Sequence, residues 1–216
     1  MTQHKKQINT FGRRHGRTLS EPQKQLIEKL DNYKVDVASL STDKSKILEI
    51  GFGYGEHLIE RAKREPNKIF IGAEAYINGV ANIMRDIEQH NITNIKLYPD
   101  DARDLVNNCP DSYFETIYIL FADPWPKKKH HKRRIIQNEF IEQLAKIIQT
   151  NGKLIIATDH AEYAQWIITN LLNSSQFKWM AKTVDDCRNF PDDWVYTRYQ
   201  TKGLAQVPVY LEFTKN

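Results

Sequence analysis

The sequence predicts an α/β domain with a doubly wound, mostly parallel sheet, and three observations carry that prediction. From Lys46 onward, short β-rich runs alternate with amphipathic helical stretches, the pattern of βα units whose parallel strands need crossovers. The first run ends in a glycine-rich turn, GFGYG, that leads straight into a helical stretch. After residue 176 the alternation stops and two strand-like runs follow with no strong helix between them, so one of them enters the sheet antiparallel within a terminal hairpin.

A chain of 216 residues suits one domain with a substantial core. Two segments are expected: a flexible basic arm over residues 1–20 and one domain over residues 21–216. The arm carries Lys5, Lys6, Arg13, Arg14 and Arg17 with little apolar content, and reads either as a solvated tail or as a grip on a polyanion. Ser20 is a candidate N-cap and Pro22 falls in the first turn of QKQLIEKLDNY, a short amphipathic helix. The strands then read KILEI, KIFIGAE, NIKLY, TIYILFA and KLIIAT, followed by FKWMAK and VPVYLEFTK, which makes seven. Between them lie a helical stretch to about Glu65, INGVANIMRDIEQH, a short helical piece, a helix carrying Ile136, Phe140, Leu144 and Ile147 at helical spacing, and HAEYAQWIITNLL.

Lys and Arg number 31 against 27 Asp and Glu, a net charge of only +4, so the basic character matters through its concentration in one run and points to a polyanionic partner. Cys109 and Cys187 stand far apart, and the polar N-terminus lacks an apolar stretch of signal-peptide type, which reads as a reduced, cytoplasmic protein. No apolar run approaches the roughly 18 residues of a membrane span, so no membrane partner is expected. Composition leaves the oligomeric state, monomer or homodimer, open.

Ligands of such sheets sit beyond the carboxyl ends of the strands, where strand order reverses. Gly51, Gly53 and Gly55 follow the first strand as G-x-G-x-G, but Glu56 stands where a dinucleotide fingerprint wants its third glycine, which argues against a nicotinamide dehydrogenase. Glu49, just before the turn, suits a ligand with a positive charge. Glu74 ends the second strand, where a carboxylate takes both ribose hydroxyls, and Asp101 with Ala102 ends the third. Helix capping would explain each acid singly. Three acids around one glycine turn describe a nucleoside without phosphate and with a cationic tail, which is S-adenosylmethionine.

The fourth strand delivers FADPWPKKKHHKRR, which puts Asp123 at the same sheet edge. Lys127, Lys128, Lys129, Lys132, Arg133 and Arg134 would hold a phosphate backbone while the neighbouring acid handles a base; a solvated, disordered charge run is the bland alternative. His130 and His131 are adjacent and lack metal-ligand spacing, so they belong to this basic surface and no metal is expected. Trp125 reads equally as a base-stacking platform and as a packing lid.

With these pieces in place, the sequence resembles bacterial tRNA (guanine-N7)-methyltransferases of the TrmB type, from TFGRRHGR to the C-terminal EFTK, most specifically in EIGFGYG, DPWPKKKHHKRR, ATDHAEY and TRYQTKG. The DPWP tetrapeptide departs from the [DNS]-P-P-[YFW] of amino methyltransferases, in keeping with a different nucleophile. The resemblance implies a class I, Rossmann-like methyltransferase fold and methyl transfer from S-adenosylmethionine to N7 of the variable-loop guanine, position 46, of tRNA. It implies that Glu49, Glu74 and Asp101 bind the methyl donor and that Asp123 belongs to both donor site and active site. It implies further that Lys127, Asp159 and the segment Thr197, Arg198, Tyr199 and Gln200 line the guanine. Two positions depart from the family pattern: Gln200 stands for a glutamate and Ala122 for a commoner proline. Gln200 keeps an acceptor oxygen and loses a charge, so a weakened contact to the base is expected.

Two rival functions follow from the same residues: a methyltransferase acting on another RNA, and a catalytically silent RNA-binding subunit with this fold. The four acids argue against the second. If about four phosphates are neutralised by the basic run, log affinity for tRNA falls with log salt at a slope of roughly three, which a filter-binding series from low to moderate salt measures; a slope near zero would return the run to the solvated reading.

Overall fold

A computed structural model of the chain describes residues 11–39, 44–203 and 207–216. The first ten residues of the expected basic arm therefore lie outside the described residues. Among the described residues seven strands form one sheet: β1 (Lys46–Ile50), β2 (Ile69–Ala73), β3 (Ile95–Tyr98), β4 (Phe114–Leu120), β5 (Ile148–Thr158), β6 (Phe177–Trp179) and β7 (Val209–Lys215). Their order is β3-β2-β1-β4-β5-β7-β6, and only β7 runs antiparallel to its neighbours. Seven strands with an antiparallel C-terminal one is the architecture the sequence predicts.

The helices are α1 (Glu21–Glu28), α2 (Glu56–Arg64), α3 (Ile77–His90), α4 (Ala102–Asn108), α5 (Asn138–Ile147) and α6 (Ala161–Asn173), with two four-residue turns, α7 (Asp185–Arg188) and α8 (Arg198–Thr201). Period-two alternation along the strands builds two separate cores. Leu48, Ile50, Ile117, Ile119, Leu154 and Ile156 face the side covered by α4, α5 and α6. Ile47, Phe70, Tyr118, Ile155 and Tyr210 face the side covered by α2 and α3. Strand residues buried on both faces read as continuous apolar runs, which is why KILEI and TIYILFA were recognisable.

Local chemistry sets the boundaries. Ser20 accepts a place in a capping box, its backbone N–H donating to Gln23 Oε1 at 3.0 Å, so α1 starts where the sequence predicts. It ends sooner, at Glu28, and continues as a 3₁₀ turn from Leu30 to Asn32. The chain then bends to the exposed edge of β3, where Leu97 N–H donates to Tyr33 O (2.8 Å) and Val35 N–H donates to Leu97 O (2.9 Å), so pairing an edge strand takes precedence over extending the helix. The charge run also folds: Lys128–Arg133 forms a 3₁₀ helix rather than a disordered tract.

Residues 11–17 are tied to the body. Ile77 N–H donates to Arg14 O at 3.1 Å, Gly16 N–H to Asn78 Oδ1 at 3.0 Å and Asn78 Nδ2 to Arg17 O at 2.8 Å. This part of the expected flexible arm runs along the start of α3 as a strap, because Asn78 bonds its backbone at Gly16 and Arg17. Among the described residues no helix is long and apolar enough to cross a membrane. Both cysteines are free thiols, and burial pushes Cys109 up to about 12.

Among the described glycines Gly79 has the tightest surroundings: a Cβ there would lie 2.0 Å from the carbonyl oxygen of Gly53. Its lack of a side chain lets α3 abut the glycine turn. Gly79→Ala should therefore cost about 1–3 kcal/mol of stability and lower Tm by roughly 2–10 °C, whereas Gly12→Ala, where nothing lies within 4 Å, should leave Tm unchanged. Equal shifts for the two variants in a thermal melt would contradict this packing.

Candidate active site

Strand order reverses between β1 and β4, and the carboxyl ends of β1, β2 and β4 surround a cavity of about 460 Å³. Gly51 and Gly53 adopt φ of 75° and 60°, left-handed values open to glycine at little cost, and they turn the chain sharply away from β1. Gly51, Glu74, Asp101, Ala102 and Asp123 all line this cavity, so five sequence-predicted residues from four strand ends meet in one place.

Glu74 is held by two backbone donors: Gly53 N–H at 2.8 Å and Tyr76 N–H at 2.9 Å. Burial raises its carboxyl above the usual carboxylate range, partly offset by those hydrogen bonds. A carboxylate has about four acceptor sites, more than these backbone donors fill, so Glu74 can still accept from a ligand hydroxyl. Asp101 is the N-cap of α4, accepting from Arg103 N–H at 3.0 Å, and it is also gripped by the Arg103 guanidinium at 2.9 and 2.6 Å. The helix-capping explanation thus holds for this acid while leaving it on the cavity wall.

Glu49 is placed differently. Only 2% exposed, it shares the face of Ile47 by strand alternation, and its carboxylate lies 2.7 Å from His57 Nδ1 on the first turn of α2. It lines a second, adjoining cavity of about 330 Å³ together with Gly53, Thr197, Arg198 and Tyr199. Gly51, Tyr54 and Phe121 border both cavities, so the two are compartments of one site. His57, which sequence reasoning did not single out, lines neither cavity and bears on the site through its contact with Glu49.

Asp123 sits on the loop after β4 between two residues with left-handed backbone, Phe121 (φ 54°) and Trp125 (φ 43°). Non-glycine residues there store strain of about 1–3 kcal/mol each, which a loop tolerates only when its surroundings hold it. Although Asp123 is solvent-accessible by surface area, the concave wall around it removes part of its hydration and raises its carboxyl above the ordinary aspartate value. Trp125 also lines the first cavity, with the Arg133 guanidinium 4.9 Å from its ring centroid, so the packing-lid reading fits its position.

The basic run divides. Lys127, Lys128, Lys129 and Lys132 are exposed, and His130 packs edge-on against Trp125 at 5.9 Å. Arg133 turns inward to line the first cavity and lies 5.4 Å from the Phe11 ring. His131 is half-buried, its ring 5.5 Å from that of Trp166. Arg134 corrects the sequence expectation outright: its side chain is 0% exposed, so no phosphate reaches it. Phe11, Gly12 and Arg13 of the strap complete the cavity wall, a contribution that composition alone concealed.

On the far side, Asp159 accepts a hydrogen bond from Tyr199 Oη at 3.1 Å, which joins the loop after β5 to α8. Arg198 stacks over Tyr54 at 4.4 Å and lies 3.9 Å from Glu56. Gln200 completes a capping box: its Oε1 accepts from Thr197 N–H at 3.1 Å and from Trp194 Nε1 at 3.3 Å. Glutamate and glutamine serve such a cap equally, so a glutamine at this position is compatible with the local structure. Gln200, Lys127 and Asp159 line neither cavity.

Comparison with known proteins agrees with this geometry. Residues 43–210 match a family model described as a putative methyltransferase. The chain is 38% identical to the tRNA (guanine-N(7)-)-methyltransferase of Hyphomonas neptunium, over 95% of this chain and 99% of that protein. It is 41% identical to the enzyme of the same name from Wolbachia pipientis, over 77% and 76% of the two chains. Among solved structures, the 16S rRNA methyltransferase KamB superposes with a TM-score of 0.58 at 13% identity, covering 88% of this chain and 92% of that one, and TrmN from Thermus thermophilus with 0.56 at 13%, covering 90% and 48%. At that identity the structures establish the Rossmann-like methyltransferase fold. By sequence, the chain belongs to the bacterial tRNA (guanine-N7-)-methyltransferase family.

Proposed function

We propose that this protein transfers the methyl group of S-adenosylmethionine to N7 of a tRNA guanine, the variable-loop guanine at position 46, in the cytoplasm. One observation carries the reading: Asp123 lines the same cavity as the Gly51 turn and Glu74. The residues fit the donor, because Glu74 keeps acceptor capacity for a ribose hydroxyl and Glu49 borders the adjoining compartment beside the turn. Bound there, S-adenosylmethionine supplies an electrophilic methyl group on a sulfonium centre.

Guanine N7 has an in-plane lone pair and no proton to lose, so the chain needs no general base. Alignment is its main contribution, a term that reaches about 7 kcal/mol or more in well-oriented systems. Asp123 holds and compensates rather than accepting a proton. A carboxylate at about 4 Å in an effective dielectric near 20 favours a purine cation by roughly 4 kcal/mol, of which only the excess over the ground state accelerates reaction. Thr197, Arg198 and Tyr199 are suited to orient the base from the second cavity, with Asp159 holding the Tyr199 hydroxyl from outside it. Lys127, Lys128, Lys129 and Lys132 present charge to the phosphates, with His130 at their edge.

Mass spectrometry of nucleosides from tRNA incubated with protein and donor should show 7-methylguanosine; a different methylated nucleoside, or none, would overturn the reading. In single-turnover assays Asp123→Ala should slow methylation about 100-fold with tRNA affinity little changed, and a loss confined to binding would remove Asp123 from the chemistry. Because burial raises the Asp123 carboxyl, the rate should decline on acidification from a pH above the ordinary aspartate value of about 3.9, and Asp123→Asn should lack that limb. Gln200→Glu retains the cap, so Tm should hold while tRNA methylation stays within about threefold; a large gain would show that the missing charge reads the base.

A further inference from the structure

Arg134 ends the basic run, yet it is the largest of the fully buried side chains. Its Nε donates to the carbonyl oxygen of Pro124 at 2.8 Å, next to Asp123. Its two terminal nitrogens donate in a fork to Glu162 on α6, at 3.1 and 2.7 Å, and that helix begins two residues after Asp159. The guanidinium plane lies 4.9 Å from the Trp166 ring and 5.2 Å from the Tyr163 ring, both also on α6. Trp166 Nε1 donates to Ile136 O at 2.8 Å, so the chain just beyond Arg134 is fastened to the same helix.

These contacts add a side-chain tie, beyond the last sheet hydrogen bond from Phe121 N–H to Ala157 O at 2.8 Å, between the loops that leave two neighbouring strands: the strained loop carrying Asp123 after β4, and the turn carrying Asp159 after β5. We propose that Arg134 is a positioning residue that locks the Asp123 loop to the N-terminus of α6, and so sets the separation of Asp123 from Asp159. The role extends the proposed methyl transfer and rests on it for its effect on rate, whereas the clamp itself is a property of the folded chain. A fork of fixed geometry is required, because one guanidinium must reach a carbonyl and both carboxylate oxygens at once; a lysine ammonium keeps the charge but cannot.

Three variants of the full-length protein test this: Arg134→Lys, Arg134→Met and, as one that leaves the buried side chain intact, Glu162→Gln. Hydrogen–deuterium exchange should quicken in residues 121–126 and 158–163 together in all three. Single-turnover methylation should fall, on the order of 10²-fold for both Arg134 variants and less for Glu162→Gln, with the slope of log tRNA affinity against log salt unchanged. Lys128→Ala, an exposed cation, should instead lower that slope by nearly one. Restoration of wild-type rate by Arg134→Lys, or a salt slope lowered by Arg134→Met, would make Arg134 a phosphate contact and overturn the proposal. Unchanged exchange in residues 121–126 would overturn it whatever the rates, while a wild-type protein that forms no 7-methylguanosine would defeat the functional reading and leave the exchange result to decide the clamp.

Discussion

The site exists because β1 and β4 are parallel neighbours whose following helices depart to opposite faces of the sheet. No crossover covers their carboxyl ends, and a crevice opens there as a consequence of topology. Everything chemical is arranged around that gap: the glycine turn on one side, the Asp123 loop on the other, and acids from β2 and β3 behind. The close approach of Gly79 to the Gly53 carbonyl shows how tightly the turn is fixed from below.

Two electrostatic regimes meet at this edge. Inside, carboxylates dominate but are individually restrained: Glu74 by backbone N–H groups, Asp101 by Arg103, Glu49 by His57. Outside, lysines of the 3₁₀ turn face solvent. Arg133, Trp125 and the strap residue Phe11 form the boundary, where a cation lies over two aromatic rings at the cavity wall. A methyl donor with a cationic centre and a polyanionic acceptor thus find opposite potentials within one continuous surface.

The sheet was legible because its strands are buried on both faces, so apolar runs of four to seven residues announced them and amphipathic helices separated them. Asp123, Glu74, Gly51 and Asp101 were legible because strand ends are where such folds bind. Side-chain direction was not legible. Arg134 differs from Lys132 only in facing Glu162 and Trp166, a long-range arrangement invisible in a string of cations. Gln200 looked like a lost charge, although Thr197 three residues earlier already spelled a capping box. Residues 11–17 looked like tail because the partner that orders them, Asn78, lies some 60 positions away.

The central claim is that the strand ends around Gly51 hold the methyl donor with Asp123 at its reactive end. A crystal structure of the protein with S-adenosylhomocysteine tests this most directly. The account predicts the ribose hydroxyls on Glu74 and the sulfur turned toward the side of the cavity bounded by Asp123. A ligand seated elsewhere, or with its sulfur directed away from Asp123, would contradict it.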